Sequence, residues 1–125
     1  MEPIRILLVE DNDVYRASLE LLLGLEPDVE VVGGVSEGVA AAGACAETRA
    51  DVVLMDFRLP GIDGAGATAS VLAACPGAAV VCLTAEATDL EDEAVRAAGA
   101  SALVRKGGPI SELVDAIRAA AGRSA

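Results

Sequence analysis

Short apolar runs alternate with longer stretches of helical spacing along the whole chain. The runs are rich in Val, Leu and Ile, whereas apolar residues in the longer stretches recur at every third or fourth position. The runs cover residues 4–10, 29–35, 51–56, 78–84 and 101–105, and the helical stretches cover 13–25, 37–49, 65–75, 89–98 and 110–122. Strands that are nearly continuous apolar runs are typical of a parallel sheet covered on both faces. The pattern therefore predicts an α/β domain with a doubly wound, five-stranded parallel sheet and right-handed crossovers.

Polar residues stand where several of the predicted helices begin. Asp13, Ser36 and Thr88 each precede or open a helical stretch, and all three side chains are of the type that caps helices. The last helical stretch begins after Pro109 and carries an apolar stripe that we expect to pack on the sheet. The stripe consists of Ile110, Leu113, Val114, Ile117 and Ala121.

The composition fits one domain without a membrane segment. The chain has 125 residues, of which 54% are hydrophobic, and its mean hydropathy of +0.51 predicts a buried core rather than disorder. We expect one domain over residues 1–122, with 123–125 as a tail or the start of a linker. No apolar run reaches membrane-spanning length and the N-terminus lacks a signal pattern, which predicts a cytoplasmic protein.

The formal net charge of −11 limits the partners of the chain. A surface this acidic repels nucleic-acid backbones and anionic lipid, so we expect neither DNA nor a membrane to bind it directly. The same acidity suits a site for a divalent cation. Cys45, Cys75 and Cys82 are scattered in apolar surroundings and are predicted to be reduced, packed thiols. Zinc is disfavoured as the cation, because the chain has no histidine and no close pair of cysteines.

The chemically active side chains are concentrated where the predicted strands end. In strand order these residues are Glu10 and Asp11, then Asp56, then Thr84, and finally Lys106. Sites in open α/β sheets form at the carboxyl ends of the strands, so these groups should meet at one edge. Carboxylates are ligands of the kind that Mg²⁺ prefers. An oxygen nucleophile, a metal ion and donors aimed at developing charge are together typical of phosphoryl transfer.

Each of these residues has an ordinary explanation when it is taken alone. An acid at a strand end, such as Asp56, is usually a turn-former or a helix cap. Thr84 alone would be a hydroxyl bonded to the backbone, and Lys106 alone would be a solvated surface lysine. Their coincidence at one predicted edge favours a joint site.

The sequence resembles the receiver domain of bacterial two-component response regulators over its whole length. The resemblance rests on four segments, ILLVEDN, DVVLMDFRLPGIDG, VVCLTA and AGASALVRKG. It is most similar to receivers that precede a LuxR-type helix-turn-helix DNA-binding domain. The resemblance implies a flavodoxin-like (βα)5 sandwich of three layers, with strand order 2-1-3-4-5.

The resemblance also implies a metal site around a phosphoacceptor. Asp56 would be the phosphoacceptor, attacking a phosphoryl group carried by a sensor histidine kinase, and would also contact the metal. Asp11 would be a direct ligand of Mg²⁺, with Mn²⁺ as an alternative metal, and Glu10 would act through water. The backbone carbonyl of Arg58 would be a further ligand.

The remaining motif positions imply a switch. Thr84 and Lys106 would hold the phosphoryl group, while Pro60 and Gly64 would shape the loop after the acceptor. An inward movement of Thr84 would change the face formed by the fourth helix, fifth strand and fifth helix. That face would control a phosphorylation-dependent homodimer and, through an output domain outside this chain, transcription. The chain would catalyse only its own phosphorylation and dephosphorylation, so it is not expected to be an enzyme in the usual sense.

Two positions depart from the family pattern on its output side. Leu103 stands where many receivers carry Tyr or Phe, whose ring follows the threonine. Gly107 and Gly108 follow Lys106 where the family often has proline, which predicts a mobile loop. The usual coupling of threonine to an aromatic ring is therefore not expected here.

Three side chains near the site carry weaker hypotheses. Arg58 and Glu86 each lie two residues after a site residue, and we hypothesise that they pair across its mouth. Two independent surface charges are nearly as good an interpretation. Tyr15, on the first helix, is either a contact for the kinase or simply a half-buried surface tyrosine.

Other functions stay open as alternatives. The departures at Leu103 and Gly107 motivate a receiver that acts as an interaction module without phosphorylation, whereas the intact set of acids argues against it. A metal-dependent aspartyl phosphohydrolase ranks lower, because Arg58 stands where such enzymes place a second Asp. A dinucleotide-binding domain ranks lowest, since no glycine-rich turn follows the first strand.

Overall fold

Five strands alternate with five α-helices along residues 2–123, the part of the chain that this computed structural model describes. The strands are β1 Ile4–Val9, β2 Val29–Val35, β3 Val52–Asp56, β4 Ala79–Thr84 and β5 Ala102–Arg105. The α-helices are α1 Asp13–Gly24, α2 Ala41–Thr48, α3 Gly64–Ala74, α4 Asp89–Ala97 and α5 Ile110–Ala120, and a 3-10 turn, Gly38–Ala40, precedes α2. All ten predicted elements are present, with ends that differ by a few residues from the predicted ones.

The strands form one parallel sheet in the order β2-β1-β3-β4-β5. This confirms the predicted flavodoxin-like doubly wound fold. The register places Val9 opposite Met55, and Asp56 opposite Leu83. The residues that follow β1 and β4 are therefore level with the end of β3, at the carboxyl edge of the sheet.

The core lies in two layers, one on each face of the sheet. Alternate residues of each strand point to opposite faces, so Leu7 and Val53 pack towards α2 and α3, whereas Ile6 and Leu54 pack towards α1 and α5. The predicted stripe of α5 is confirmed, because its apolar residues belong to the second layer. All three cysteines are free thiols; Cys45 and Cys82 are buried and Cys75 is half-buried.

Two of the three predicted helix caps are wrong. Asn12, rather than Asp13, caps α1, because its side chain accepts a hydrogen bond from the amide of Tyr15. Ser36 does not cap α2, since a 3-10 turn intervenes and α2 starts at Ala41 without a side-chain cap. Thr88 does cap α4, as predicted, by accepting from the amide of Glu91.

The C-terminal end of the described chain is held against the domain by hydrogen bonds of Arg123. The amide of Arg123 donates to the carbonyl of Arg118, and its guanidinium donates to the carbonyl of Glu2. Residues 124–125 of the predicted tail lie outside the described residues. The boundary at residue 122 stays a prediction.

Candidate functional site

Lys106 connects two buried carboxylates at the carboxyl edge of the sheet. Its Nζ lies 2.6 Å from Oε1 of Glu10 and 3.2 Å from Oδ1 of Asp56. Glu10 is 2% exposed and Asp56 is 4% exposed. The amide of Lys106 donates to the carbonyl of Thr84 at 2.7 Å, which holds the lysine beside the end of β4. The fold therefore brings together groups that are 96 residues apart in sequence.

Asp11 completes a cluster of three acids. One carboxylate oxygen from each of Glu10, Asp11 and Asp56 can be chosen so that all lie within 4.8 Å of one another. Glu10 and Asp56 are buried, whereas Asp11 is exposed to solvent. The cluster thus offers several hard oxygen donors with one open side, an arrangement that fits a partly hydrated Mg²⁺.

The buried charge of this cluster is only partly compensated. The pKa of Asp56 is raised from 3.8 to about 6, chiefly by burial; the negative charge of Glu10 adds to this rise, and Lys106 opposes it. A bound divalent cation would favour the ionised form of Asp56. The electrostatics of the site therefore agree with its donor set in favouring a metal ion.

The loop after Asp56 folds back tightly against the end of β3. The amide of Arg58 donates to Oδ1 of Asp56 at 3.2 Å, and the amide of Gly64 donates to the carbonyl of Phe57 at 2.8 Å. A side chain at position 64 would place its Cβ only 2.6 Å from Cα of Phe57, so only glycine fits. Pro60 lies exposed in this loop. The metal contact of the Arg58 carbonyl stays a prediction.

Thr84 is bonded to a residue that the sequence reasoning did not assign to the site. Its Oγ1 donates to Oε1 of Glu91 at 2.5 Å, and Oε2 of Glu91 accepts from Nη2 of Arg58 at 3.3 Å. In the sequence, Glu91 is one of three acids, with Asp89 and Asp92, in the first turn of α4. Its sequence signal is weak, because helix N-termini commonly carry exposed acids. The Glu91 side chain is buried because of the way α4 packs, and this burial is what reveals its place in the site.

The hypothesis that Arg58 pairs with Glu86 is wrong. Among the ion pairs of residues 2–123, the acidic partner of Arg58 is Glu91. Glu86 lies exposed in the segment between β4 and α4. Because Glu91 points inward from α4, its carboxylate lies within hydrogen-bond distance of the Arg58 guanidinium.

The ring of Tyr15 supports Lys106 from α1. Nζ of Lys106 lies 4.7 Å from the ring centroid, within the range of a cation–π interaction. Tyr15 is half-buried, and burial raises the pKa of its phenol. Together with Gly107 and Gly108 it lines a groove of about 300 Å³ between α1 and the β5–α5 loop. A kinase contact at Tyr15 stays a prediction.

The two departures from the family pattern have clear structural settings. Leu103 is half-buried and packs on the layer of α2 and α3. Gly107 has φ of +82°, a left-handed conformation that favours glycine. No Cβ contact would hinder a side chain at this position, so backbone conformation alone favours glycine there.

The chain belongs to the response regulator receiver domain family, whose model matches residues 6–118. It is 35% identical to the transcriptional regulatory protein LiaR of Bacillus subtilis over 117 residues, which are 94% of this chain and 56% of LiaR. The chain thus spans about half the length of the curated relatives it matches. These relatives are response regulators of two-component systems, of the type with a LuxR-type domain.

Two solved structures show the same fold at higher coverage. A LuxR-family response regulator from Aurantimonas is 30% identical, with a TM-score of 0.92, and the match covers 98% of this chain and 88% of that one. The receiver domain of the sensor histidine kinase PA1611 from Pseudomonas aeruginosa is 32% identical, with a TM-score of 0.82 and coverage of 96% and 98%. That structure contains a magnesium ion coordinated in its active site cleft. Across residues 2–123, the helices of this chain are too short or too polar to cross a membrane.

Proposed function

We propose that this chain is a phosphorylation-operated receiver in which Asp56 is the phosphoacceptor. An oxygen of its carboxylate attacks the phosphorus of a phosphohistidine on a sensor kinase; the new P–O bond forms as the P–N bond breaks, and the leaving histidine nitrogen takes up a proton from solvent. The observation that carries the proposal is the buried position of Asp56 between Lys106 and the acids of the cluster. Such a site supplies a nucleophile and a cation to meet the developing charge.

Mg²⁺ is the proposed cofactor, with Mn²⁺ as the alternative. Asp11, Asp56 and the Arg58 carbonyl would hold it directly and Glu10 through water, and the magnesium ion in the PA1611 receiver supports this assignment. When bound, the metal would neutralise charge on the incoming phosphoryl group. Lys106 would then bind a phosphoryl oxygen.

The proposed output is a change on the face made by α4, β5 and α5. This change would drive formation of a two-fold homodimer and, through an output domain outside this chain, control transcription. The names of LiaR and of the LuxR-family structure support a transcriptional role. The proposed location is the cytoplasm, and the proposed catalysis is limited to the chain's own phosphorylation and dephosphorylation.

Intact-protein mass spectrometry after incubation with acetyl phosphate and Mg²⁺ tests the proposal. The wild type should gain one phosphoryl group, and Asp56→Asn should gain none. Asp115→Asn is the matched control, because Asp115 is an exposed acid on α5 and should leave phosphorylation unchanged. An unmodified wild type would overturn the proposal.

A receiver that signals without phosphorylation is the second candidate, favoured by the absence of a ring at Leu103. Sedimentation with and without beryllofluoride and Mg²⁺ separates the two functions. The proposal predicts a dimer only with beryllofluoride, and none for Asp56→Asn. A protein that dimerises equally in all conditions would support the phosphorylation-independent module.

A further inference from the structure

Glu91 is a buried carboxylate that holds the hydroxyl of Thr84. Glu91 is 7% exposed and Thr84 is 1% exposed. The Thr84 hydroxyl donates to Oε1 of Glu91 at 2.5 Å, a short and charge-assisted hydrogen bond. The second oxygen, Oε2, accepts from Arg58 at 3.3 Å. Both carboxylate oxygens are therefore engaged, as a buried charge requires.

The inward position of Glu91 is not needed to cap α4. The Thr88 side chain already accepts from the Glu91 amide at 3.2 Å. The neighbouring first-turn acids, Asp89 and Asp92, are exposed and half-buried. Because acids in a first helical turn interact favourably with the helix dipole while remaining in solvent, burial of Glu91 needs a separate explanation.

The Thr84 hydroxyl has a single proton, so two possible acceptors compete for one hydrogen bond. Thr84 cannot donate to Glu91 and to a phosphoryl oxygen on Asp56 at the same time. We propose that Glu91 is a positioning residue that keeps the Thr84 hydroxyl turned towards α4 before phosphorylation and is released when Asp56 is phosphorylated. The proposal rests on the function proposed for Asp56.

Release of Glu91 changes the position of α4. Once the Thr84 hydroxyl donates to the phosphoryl oxygen instead, the buried carboxylate of Glu91 retains only Arg58, whose side chain is largely exposed. A buried charge with an incomplete set of partners is unfavourable, so the first turn of α4, residues 88–91, moves outward with Glu91. Leu103 offers no ring to relay the movement of Thr84, and the bond to Glu91 supplies a direct connection between Thr84 and α4.

The affinity for beryllofluoride in Mg²⁺ buffer, measured by isothermal titration calorimetry, tests the competition. Glu91→Gln replaces the charged acceptor with a neutral one of equal size, so the bond that opposes release of Thr84 weakens. We expect beryllofluoride to bind this variant about tenfold more tightly than the wild type. Glu93→Gln is the control, because Glu93 is exposed on the same helix and carries the same charge. It should bind as the wild type does.

A double-mutant cycle distinguishes the hydroxyl from simple electrostatics. Loss of a negative charge, or a freed Arg58, would also favour an anion, but both effects would persist without the Thr84 hydroxyl. The gain from Glu91→Gln should therefore vanish in a Thr84→Val background and remain in a Thr84→Ser background. A gain that persists with valine at position 84 overturns the role of Glu91, as does an unchanged affinity of Glu91→Gln.

Backbone NMR gives a readout in the absence of any anion. The amide resonances of residues 88–92 in Glu91→Gln should shift towards their positions in wild type saturated with beryllofluoride. Failure of the wild type to bind beryllofluoride would overturn the function proposed for Asp56 and the role of Glu91 with it. Normal wild-type binding, with resonances of residues 88–92 in Glu91→Gln unchanged, would overturn the role of Glu91 alone.

Discussion

Two clusters at opposite edges of the sheet each combine three carboxylates with one basic side chain. The carboxyl-edge cluster surrounds Lys106, and the amino-edge cluster, next to the start of β2, surrounds Arg118 on α5. The carboxyl-edge acids are Glu10, Asp11 and Asp56, and the amino-edge acids are Glu26, Asp28 and Asp115. The two clusters therefore have the same formal charge and differ in their contact with solvent.

The pKa values of Asp56 and Asp28, one acid from each cluster, shift in opposite directions. Burial raises the pKa of Asp56 to about 6, although Lys106 is close. Hydrogen bonds from Arg118 instead hold the pKa of Asp28 below its ordinary value. The side chain of Asp56 is 6% exposed and that of Asp28 is 37% exposed. Burial, rather than the count of charges, thus decides whether the fold raises or lowers the pKa of an acid in such a cluster.

Removal of the basic side chain should give the largest difference between the clusters. Lys106→Met leaves two buried carboxylates without their cation and should lower the free energy of unfolding by about 3 kcal/mol. Arg118→Met leaves solvated acids and should cost less. Urea unfolding at pH 7 in metal-free buffer measures both. An equal loss in the two variants would contradict the role assigned to burial.

Removal of one acid from each cluster should change stability in opposite directions. Asp56→Asn abolishes a charge whose pKa is raised by the fold, and it should increase the free energy of unfolding at pH 7 by about 1–3 kcal/mol. Asp28→Asn removes a favourable partner of Arg118 and should decrease it. Thermal and urea unfolding of the two variants beside wild type provide the measurement. Destabilisation by Asp56→Asn would show that its carboxylate is fully compensated.

Asp56 and Asp28 should make the free energy of unfolding depend on pH in opposite directions. The folded pKa of Asp56 lies above the unfolded value of 3.8, so its unfavourable contribution is complete above pH 6 and is relieved as pH falls through 6. Between pH 7 and pH 5, wild type should gain about 1 kcal/mol relative to Asp56→Asn. The Asp28 contribution is complete above its unfolded pKa and is lost at lower pH.

Urea titrations at successive pH values, with a chelator present, test both signs. Asp28→Asn should follow wild type above pH 5, apart from a constant difference, and should converge with it as pH falls below 4. A wild-type advantage over Asp56→Asn that grows with rising pH would contradict the raised pKa of Asp56.

Salt should have the smallest effect and should act mainly on the amino-edge cluster. Raising NaCl from about 0.05 M to about 0.5 M screens exposed charges, so the stability difference between wild type and Arg118→Met should shrink. The difference between wild type and Lys106→Met should change less, because Glu10 and Asp56 are buried. The same unfolding titrations at the two salt concentrations are sufficient.

Most of the fold could be predicted because its elements are locally encoded. Short, mostly apolar runs predicted all five strands, and the α5 stripe packs as expected. The helix starts were less predictable. Asp13 and Ser36 have the right chemistry for a cap, but capping depends on backbone conformation at the first turn, and Asn12 and a 3-10 turn occupy those places.

Some of the residues that form the site could also be predicted from the sequence. Their positions at the ends of predicted strands indicated Glu10, Asp11, Asp56 and Lys106 as site residues, and the parallel register of the sheet brings them together. The partners of Thr84 and Arg58 were not foreseen, because Glu91 lies on a different element and its sequence setting is that of a common surface acid.

By itself, the sequence determined the order of elements, the acidic and basic side chains at the strand ends, and the departures at Leu103 and Gly107. These features depend on local periodicity and residue type, which a linear chain displays directly. Tertiary structure alone decided which acids are buried and which partner each polar group takes. It turned Glu91 inward to Thr84 and left Asp28 partly exposed. The reason is physical: burial and pairing depend on distances between elements, and those distances exist only after the helices have packed on the sheet.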